Sequence, residues 1–311
     1  MIKNYSMIFD GENTPVFKVN LHAHSTDSDG LFTPECLVSL YIDMNYQGLG
    51  ITDNEKVFSD FNSVDSTNCT IVHGMELKTP GPRGIEWHLI ALGIPEEFPH
   101  SYSNGEEAVK AVKAAGGLVY CAHPYLTGAT SKEVMALGPI DGIEIFNTYA
   151  QQTRGKGLSI ETWDDLLDSK MHCTGIAVDD FHTPRDFTQG WAMVCMRERS
   201  ENALLDALRE GRFYSTQGPE FTRIECKDGH FIAEFTQCKE ALLIGPCPHG
   251  EQRFNAVIGK VTQWPLPDNE WDEYVTRIEG DVSAWLKGSY VRCQIRDSKG
   301  RYAWSQPYYI D

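Results

Sequence analysis

The sequence predicts an α/β domain built on a mostly parallel sheet, followed by a smaller antiparallel β domain. Short apolar segments alternate with helical patterns in the first part of the chain, and each segment ends at His, Asp, Asn or Glu side chains. Loops at the carboxyl ends of parallel strands converge on one mouth, so these polar side chains are expected to meet there. The predicted strands are residues 18–21, 49–51, 70–72, 118–121 and 175–178.

The predicted helices carry start and stop signals. The first has Thr33 as its N-cap and Pro34 at its first position, and Gly48 follows its end. The alternation of strands and helices places the helices outside the sheet, but it leaves open whether the sheet closes into a barrel. The predicted helices are residues 34–47, 105–115, 131–137, 160–169 and 200–210.

After Gly211 the pattern changes to short strands separated by turns. Asp228-Gly229 and Lys299-Gly300 are typical of hairpin turns. We expect a small antiparallel β-sandwich, with domain limits at 1–217 and 218–311. The predicted strands are residues 221–226, 229–235, 241–245, 256–261, 290–296 and 303–310.

Charge and composition argue against several classes of function. The chain has 311 residues and a formal net charge of -17, which repels nucleic-acid phosphates and anionic membranes. No apolar segment is long enough to span a bilayer, and the first residues lack a signal-peptide core. The nine cysteines form no CxxC pair. We therefore expect a cytoplasmic protein with a small substrate, and neither a membrane nor a nucleic-acid partner.

Seven polar motifs occur in order between residues 20 and 182. They are NLHAHSTDSDGLFTPECL at 20–37, GLGITDN at 48–54, HGMEL at 73–77, HLIALG at 88–93, CAHP at 121–124, GIEIFN at 142–147 and AVDDFH at 177–182. Together they resemble the PHP (polymerase and histidinol phosphatase) superfamily of metal-dependent phosphoesterases. The resemblance implies a distorted seven-stranded (β/α)7 TIM-like barrel, and the closing segment 290–310 is similar to that of some two-domain PHP proteins.

The resemblance also implies two or three divalent metal ions, which would be Zn, Mn or Fe. His22 and His24 would bind the first metal with Glu76 and Asp180. Residues two apart at a strand end point the same way, which accounts for the spacing of the two histidines. The resemblance assigns the second metal to Glu76 as a bridge, His88 and His123, and the third to Asp29, Asn54 and His182.

Two of these assignments are open to another interpretation. His88 could be an ordinary histidine within a strand. Asn54 departs from the family pattern, which has histidine at this position. An amide oxygen is a weaker ligand than imidazole for Zn or Mn, so the third site could be weak, select a harder ion or be empty.

Other polar residues near the motifs are assigned by position. Asp53 could orient a ligand histidine or cap the following turn. Asp179 must point away if Asp180 binds metal. Asn147 could hold a substrate hydroxyl, whereas Glu144 is expected to be a carboxylate of strand packing.

Phosphate recognition also needs cationic donors. Arg154, Lys156 and Arg185 follow strand ends and could bind a phosphate group, although each could equally be an ordinary surface residue. The residues expected to take part in catalysis are Glu76, Asp180 and His182.

These features predict an enzyme that hydrolyses a small phosphorylated metabolite or nucleotide by means of a hydroxide bound at a two- or three-metal centre. One alternative is a nuclease acting on oligonucleotides. Another is a non-catalytic metal-containing binding protein whose third metal site has decayed.

Overall fold

The computed structural model describes residues 5–64, 66–246, 274–283, 285 and 288–310. Within these residues it is a mixed α/β structure, as predicted. The first ten strands are β1 Tyr5–Phe9, β2 Glu12–Asn20, β3 Gly48–Ile51, β4 Thr70–Pro80, β5 Glu86–Leu92, β6 Leu118–Cys121, β7 Gly142–Asn147, β8 Thr174–Val178, β9 Trp191–Cys195 and β10 Phe213–Thr216. The later strands are β11 Phe221–Lys227, β12 His230–Cys238, β13 Glu240–Ile244, β14 Val275–Asp281, β15 Tyr290–Arg296, β16 Tyr302–Ser305 and β17 Tyr308–Tyr309.

Seven α-helices accompany these strands in the described residues. Five of them confirm the helices predicted from sequence. The helices are α1 Pro34–Asp43, α2 Gly105–Ala114, α3 Pro124–Thr127, α4 Ser131–Ala136, α5 Thr148–Arg154, α6 Ile160–Asp168 and α7 Glu201–Arg209. None of the helices in the described part of the chain is long and apolar enough to cross a bilayer.

Strands β2 to β8 pair in chain order. The pairs β2–β3, β3–β4, β6–β7 and β7–β8 are parallel, as predicted. Strand β5 is antiparallel to both β4 and β6, which the sequence did not predict. The long β4–β5 hairpin places Lys78 opposite His88 and brings the latter into the sheet beside Glu76.

The two ends of this strand series also meet. Ala23, just after β2, forms a parallel bridge with Phe181, just after β8. The His24 amide donates to the Phe181 carbonyl over 2.9 Å. This bridge holds the segment with the first two histidines against the segment with Asp180 and His182, so residues distant in sequence share one mouth.

Side-chain caps explain where several helices begin. The Thr33 side chain accepts a hydrogen bond from the Cys36 amide, as its predicted N-cap role requires. Helix α1 is shorter than the predicted 34–47, because Asn45 adopts a left-handed conformation with φ 61° and ends the helical path. Residues 46–48 then turn into β3.

Apolar packing holds the strand ends in place on both faces of the sheet. One cluster of buried residues includes Leu21, Ile90, Tyr120 and Val178. Trp163 of α6 is fully buried in a second cluster, which also contains residues of α2 and α4. Burial of this apolar surface is the main favourable contribution to the free energy of folding.

The later strands form the antiparallel pairs β11–β12, β12–β14, β13–β15 and β15–β16. Asp228 and Gly229, with φ 51° and 73°, form the predicted two-residue turn between β11 and β12. Strand β14 was not predicted, and the predicted strand 256–261 lies outside the described residues. The domain limit at 217/218 stays a prediction.

The two parts of the chain are joined by strand pairing. Strand β1 forms a hairpin with β2 and is parallel to β11, with Ile8 opposite Arg223. Strand β10 lies between β9 and β16. Neither connection was predicted from the sequence, since β1 with β11 and β10 with β16 join segments that are far apart in the chain.

A buried ion pair also links the two parts. The Arg292 guanidinium of β15 is fully buried and donates to both carboxylate oxygens of Asp164 in α6, each over 2.8 Å. It also lies 5.0 Å from the centre of the Trp163 ring. A charge this deeply buried depends on its partner.

We therefore expect Asp164→Ala to lower the free energy of unfolding by about 3 kcal/mol, because the Arg292 charge would stay buried without a partner. Asp206→Ala is the control. It removes a pair with Arg209 in which both side chains are substantially exposed, and should cost less than about 1 kcal/mol. Urea unfolding of both variants measures the difference, and equal losses would contradict the interpretation.

Candidate metal centre

The ligand-type side chains lie at the carboxyl ends of neighbouring strands. His22 and His24 follow β2, Glu76 lies within β4, His123 follows β6 and Asp180 follows β8. All five are buried. His123 and Asp180 have φ of 29° and 52°, in the left-handed region that non-glycine residues rarely adopt. Backbone strain of this kind is often kept at functional sites.

The first group consists of His22, His24 and Asp180. The two Nε2 atoms are 3.0 Å apart, and the Asp180 Oδ1 atom lies 3.2 Å from each of them. Ligands placed about 2.1 Å from one shared ion would be separated by about 3.0–3.4 Å. The spacing of these three atoms therefore fits one bound cation.

The second group consists of Glu76, His88 and His123. Glu76 Oε1 lies 2.8 Å from His88 Nδ1 and 3.4 Å from His123 Nε2. Its other oxygen, Oε2, is 3.5 Å from His24 Nε2. Glu76 thus lies between the two groups, where the predicted bridging carboxylate is needed, and His88 lies beside it.

The third group consists of His24, Asp29 and His182. Asp29 Oδ1 is 3.4 Å from His24 Nδ1 and 3.6 Å from His182 Nε2. Asn54 Nδ2 donates to the same Asp29 oxygen over 2.8 Å, while Asn54 Oδ1 is buried without a hydrogen-bond partner. The predicted set of Asp29, Asn54 and His182 is thus brought together, with His24 as a further neighbour.

Electrostatic interactions among these groups are strong. Burial opposes a charge on His22, but Asp180, Glu144 and Glu76 raise its pKa well above the usual value. Burial likewise opposes a charge on Glu76, yet His22 and the other nearby histidines hold the pKa of Glu76 well below its usual value. The carboxylates and imidazoles thus stabilise one another's charges, and the ionised carboxylates offer oxygen ligands to a cation.

Asp29 and His182, which belong to the third group, also shift each other's pKa values. The His182 imidazole, with Nε2 3.6 Å from Asp29 Oδ1, lowers the pKa of Asp29 to about 2. Burial lowers the pKa of His182, but the nearby carboxylates of Asp29 and Asp180 raise it to about 9 overall. The His182 ring stacks between the rings of His24 and Tyr149, which restricts its orientation.

Buried atoms without partners give a further test of whether metal ions fit. Asp180 Oδ1, which belongs to the first group, is buried and has no hydrogen-bond partner in the structure. Buried polar atoms are normally paired, because an unpaired one costs roughly 1–3 kcal/mol. The mixture of imidazole nitrogens and carboxylate oxygens suits Zn, Mn or Fe. The residues present therefore fit divalent metal ions.

Two buried aspartates support the loops without facing the groups. Asp53 accepts hydrogen bonds from Ser25 and Ser28, so it holds the loop after His24 and makes no bond to a ligand histidine. Asp179 points away from Asp180 and accepts bonds from the amides of residues 188–190. Burial raises the pKa of Asp179 to about 6.

The structure gives Glu144 and Asn147 roles that the sequence did not predict. Glu144 was expected to serve strand packing, but Oε1 lies 2.6 Å from His22 Nδ1. The sequence allowed Asn147 to hold a substrate hydroxyl, and that role stays a prediction. In the structure its Nδ2 donates to Glu144 and Asp180, and its Oδ1 caps α5 by accepting from the Ala150 amide. Glu144 lies within β7 and Asn147 ends it, and the only available sequence signal was the presence of two polar residues in an otherwise apolar strand.

The three predicted phosphate-binding cations lie outside the groups. The Arg154 guanidinium donates to the Thr153 carbonyl, and Arg185 is exposed. Lys156 Nζ lies 5.4 Å from the centre of the Tyr125 ring. Tyr125 and Leu158 are exposed and line a cavity of about 420 Å³ together with Trp304 of β16. A role for these cations in binding substrate stays a prediction.

Comparisons with known proteins agree with this fold. A two-domain protein from Bacteroides vulgatus, described as containing a predicted PHP-like metal-dependent phosphoesterase, superposes with a TM-score of 0.56 at 17% identity. The match covers 96% of this chain and 95% of that one. A proposed metal-dependent phosphoesterase from Bifidobacterium adolescentis gives a TM-score of 0.45 at 15% identity, covering 53% and 87% of the two chains. No family model matches the chain.

A curated relative matches a shorter stretch. It is the 5′-3′ exoribonuclease Rnm of Salmonella typhimurium, which is 31% identical over 101 residues. The match spans 31% of this chain and 31% of that protein, which is less than a third of either. The resemblance to PHP proteins noted from the sequence is confirmed: the chain has the fold of a two-domain PHP-like protein.

Glu76 is the sharpest test of the centre, since it lies between two groups. Glu76→Gln removes the bridging charge, so we expect the variant to lose at least one of the metal ions retained by the wild type. Elemental analysis after gel filtration measures this, and circular dichroism checks the fold. Glu240→Gln, which alters only a pair with Arg296, is the control. Unchanged metal content in folded Glu76→Gln would argue against a bridging role.

Asn54 tests the third group. Asn54→His replaces an amide by imidazole and should strengthen metal binding there, whereas Asn54→Ala should weaken it. Titration of metal per chain in the wild type and both variants gives the answer. Three equally tight sites in the wild type would show that Asn54 is not a weak point.

Proposed function

We propose that this protein is a metal-dependent phosphoesterase that hydrolyses a small phosphorylated metabolite or a nucleotide. Two or three divalent ions, of Zn, Mn or Fe, would occupy the three groups. The observation that carries the proposal is their continuity: His24 belongs to both the first and the third group, and Glu76 lies between the first and the second. Adjacent metal sites suit phosphoryl transfer, which needs charge stabilised on several oxygens at once.

Each side chain has a definable task in this proposal. When bound, the ions supply a lowered pKa for water and neutralise charge that develops on phosphate oxygens. Glu76 and Asp180 would bind the ions, and their negative charges would offset part of the positive charge of those ions. His182 Nδ1 lies 2.9 Å from the Asp180 carbonyl oxygen, to which it can donate, and Nε2 is then left facing the edge of the site. From there Nε2 could bind the third ion or protonate a leaving oxygen.

The finer architecture belongs to the same proposal. We infer that β2 to β8, closed by the Ala23–Phe181 bridge, form the distorted seven-stranded barrel of PHP proteins. The antiparallel strands after residue 217 would form a separate β-sandwich domain. The separation of this domain is supported by the position of the candidate metal-binding groups: in the described residues, all of their members lie between positions 22 and 182.

A nuclease is the second candidate, and one observation favours it. The relative from Salmonella typhimurium is named a 5′-3′ exoribonuclease. The opposing observation is the net charge of -17, which repels a polyanionic substrate at long range. A small substrate with one or two phosphates meets less repulsion, so it remains our first choice.

Metal removal tests the proposal. Protein stripped with a chelator should lose hydrolysis of an aryl phosphate down to background, because in this proposal the attacking water is activated only by the bound ions. Adding back Mn, Zn or Fe should restore the turnover. The amount of metal bound per chain, measured by elemental analysis, should rise and fall with the turnover. Full turnover in protein shown to be metal-free would sink the proposal.

The same preparations separate the two candidate substrates. Nucleoside monophosphates and a 5′-phosphorylated oligoribonucleotide are offered in parallel at equal phosphate concentration. Faster release of phosphate from the monophosphates supports the small-substrate proposal, and faster shortening of the oligoribonucleotide supports the nuclease.

A further inference from the structure

Glu144 is a buried carboxylate that the metal groups do not include. Its side chain is fully buried near the end of β7, in a sheet whose neighbouring strands carry the ligands. An ionised carboxylate without solvent is costly unless several donors reach it. The donors that reach Glu144 show what it does.

Three strand ends meet at this one side chain. Glu144 Oε1 accepts from His22 Nδ1 over 2.6 Å, after β2. Glu144 Oε2 accepts from the His123 amide after β6 and from Asn147 Nδ2 at the end of β7, each over 2.8 Å. The same Asn147 nitrogen donates to Asp180 Oδ2 over 3.0 Å.

We propose that Glu144 is a positioning residue that sets the geometry of both principal metal groups at once. Through His22 directly and Asp180 by way of Asn147, it reaches the first group. Through the His123 amide it reaches the second group, and it fixes a residue whose φ is 29°. The inference rests on the proposed metal centre but not on the identity of the ester that is hydrolysed.

The bond to His22 also selects a tautomer. A carboxylate only accepts, so His22 carries a proton on Nδ1; Nε2, which faces His24 and Asp180, is then the nitrogen that would hold a metal ion. Ligand histidines commonly donate their second nitrogen to a carboxylate, and loss of that partner costs roughly 10–100-fold in metal affinity.

Glu144→Gln makes the proposal specific, because an amide has one acceptor oxygen where the carboxylate has two. If the new NH2 group replaces Oε2, it faces two donors, the His123 amide and Asn147 Nδ2. If it replaces Oε1, it faces only His22 Nδ1, and that conflict disappears when the His22 proton moves to Nε2. The second arrangement is favoured, and it blocks the nitrogen that would bind metal.

The experiment measures zinc affinity and the His22 ring rather than turnover. Competition with a chromophoric chelator should show zinc binding weakened roughly 10–100-fold in Glu144→Gln. Long-range proton–nitrogen NMR of the zinc-loaded protein should show an Nδ1–H signal for His22 in the wild type that is lost or shifted in the variant. Because neither readout uses substrate, failure of the proposed hydrolysis leaves this test intact.

Asp141→Asn is the matched control. Asp141 precedes β7 at its other end and also accepts from an amide and a charged side chain, those of Val119 and Lys113. It should keep wild-type zinc affinity and the His22 signal. Wild-type affinity in Glu144→Gln would overturn the proposal. If that variant does not fold, the wild type alone decides, since zinc on Nδ1 of His22 would overturn it too.

Discussion

The burial of ionisable groups at one end of the sheet is the constraint on which the rest of the structure depends. His22, His24, Glu76, His123 and Asp180 are all nearly inaccessible to water. Taking such groups out of water is unfavourable unless opposite charges or donors surround them. The arrangement therefore holds together only as a set, in which each carboxylate is near imidazole and each imidazole is near a carboxylate.

Supporting residues meet this constraint from outside the set. Asp53 ties down the loop after His24, and Asp179 ties down the loop after His182 by accepting from three successive amides. Glu144 and Asn147 fill the space between strand ends. These supporting residues leave few buried polar atoms of the candidate centre without a hydrogen-bond partner, and Asp180 Oδ1 in the first group is one of them.

The sequence predicted those features that depend on neighbouring residues. Helix starts such as Thr33, the turn at Asp228-Gly229 and the ligand-type residues at strand ends are local patterns, and the structure contains them. The direction of β5 and the pairing of strands that are distant in sequence could not be predicted from the residues of a single segment. Periodicity cannot show that β5 runs antiparallel or that β1 pairs with β11, because both depend on which segments pack together.

The roles of residues could likewise be predicted where they depend on local motifs, and not where they depend on partners from distant strands. The type and order of His22, His24, Glu76 and Asp180 indicated metal binding, and their distances fit it. Glu144 looked like any buried strand residue, since its role depends on three partners from separate strands. Asn54 could be recognised as unusual, but its bond to Asp29 required coordinates.

The hairpin at the start of the described chain has a consequence for biosynthesis. Strand β1 leaves the ribosome well before its parallel partner β11, because β1 ends at Phe9 and β11 begins only at Phe221. Until β11 is made, one edge of β1 has unpaired amides and carbonyls, which is a site where other chains can add. Since β2 follows β1 and leads to His22, a proposed metal ligand is attached to a hairpin whose other edge is paired only after β11 is made. Translation speed and chaperone access thus bear on the yield of the native fold.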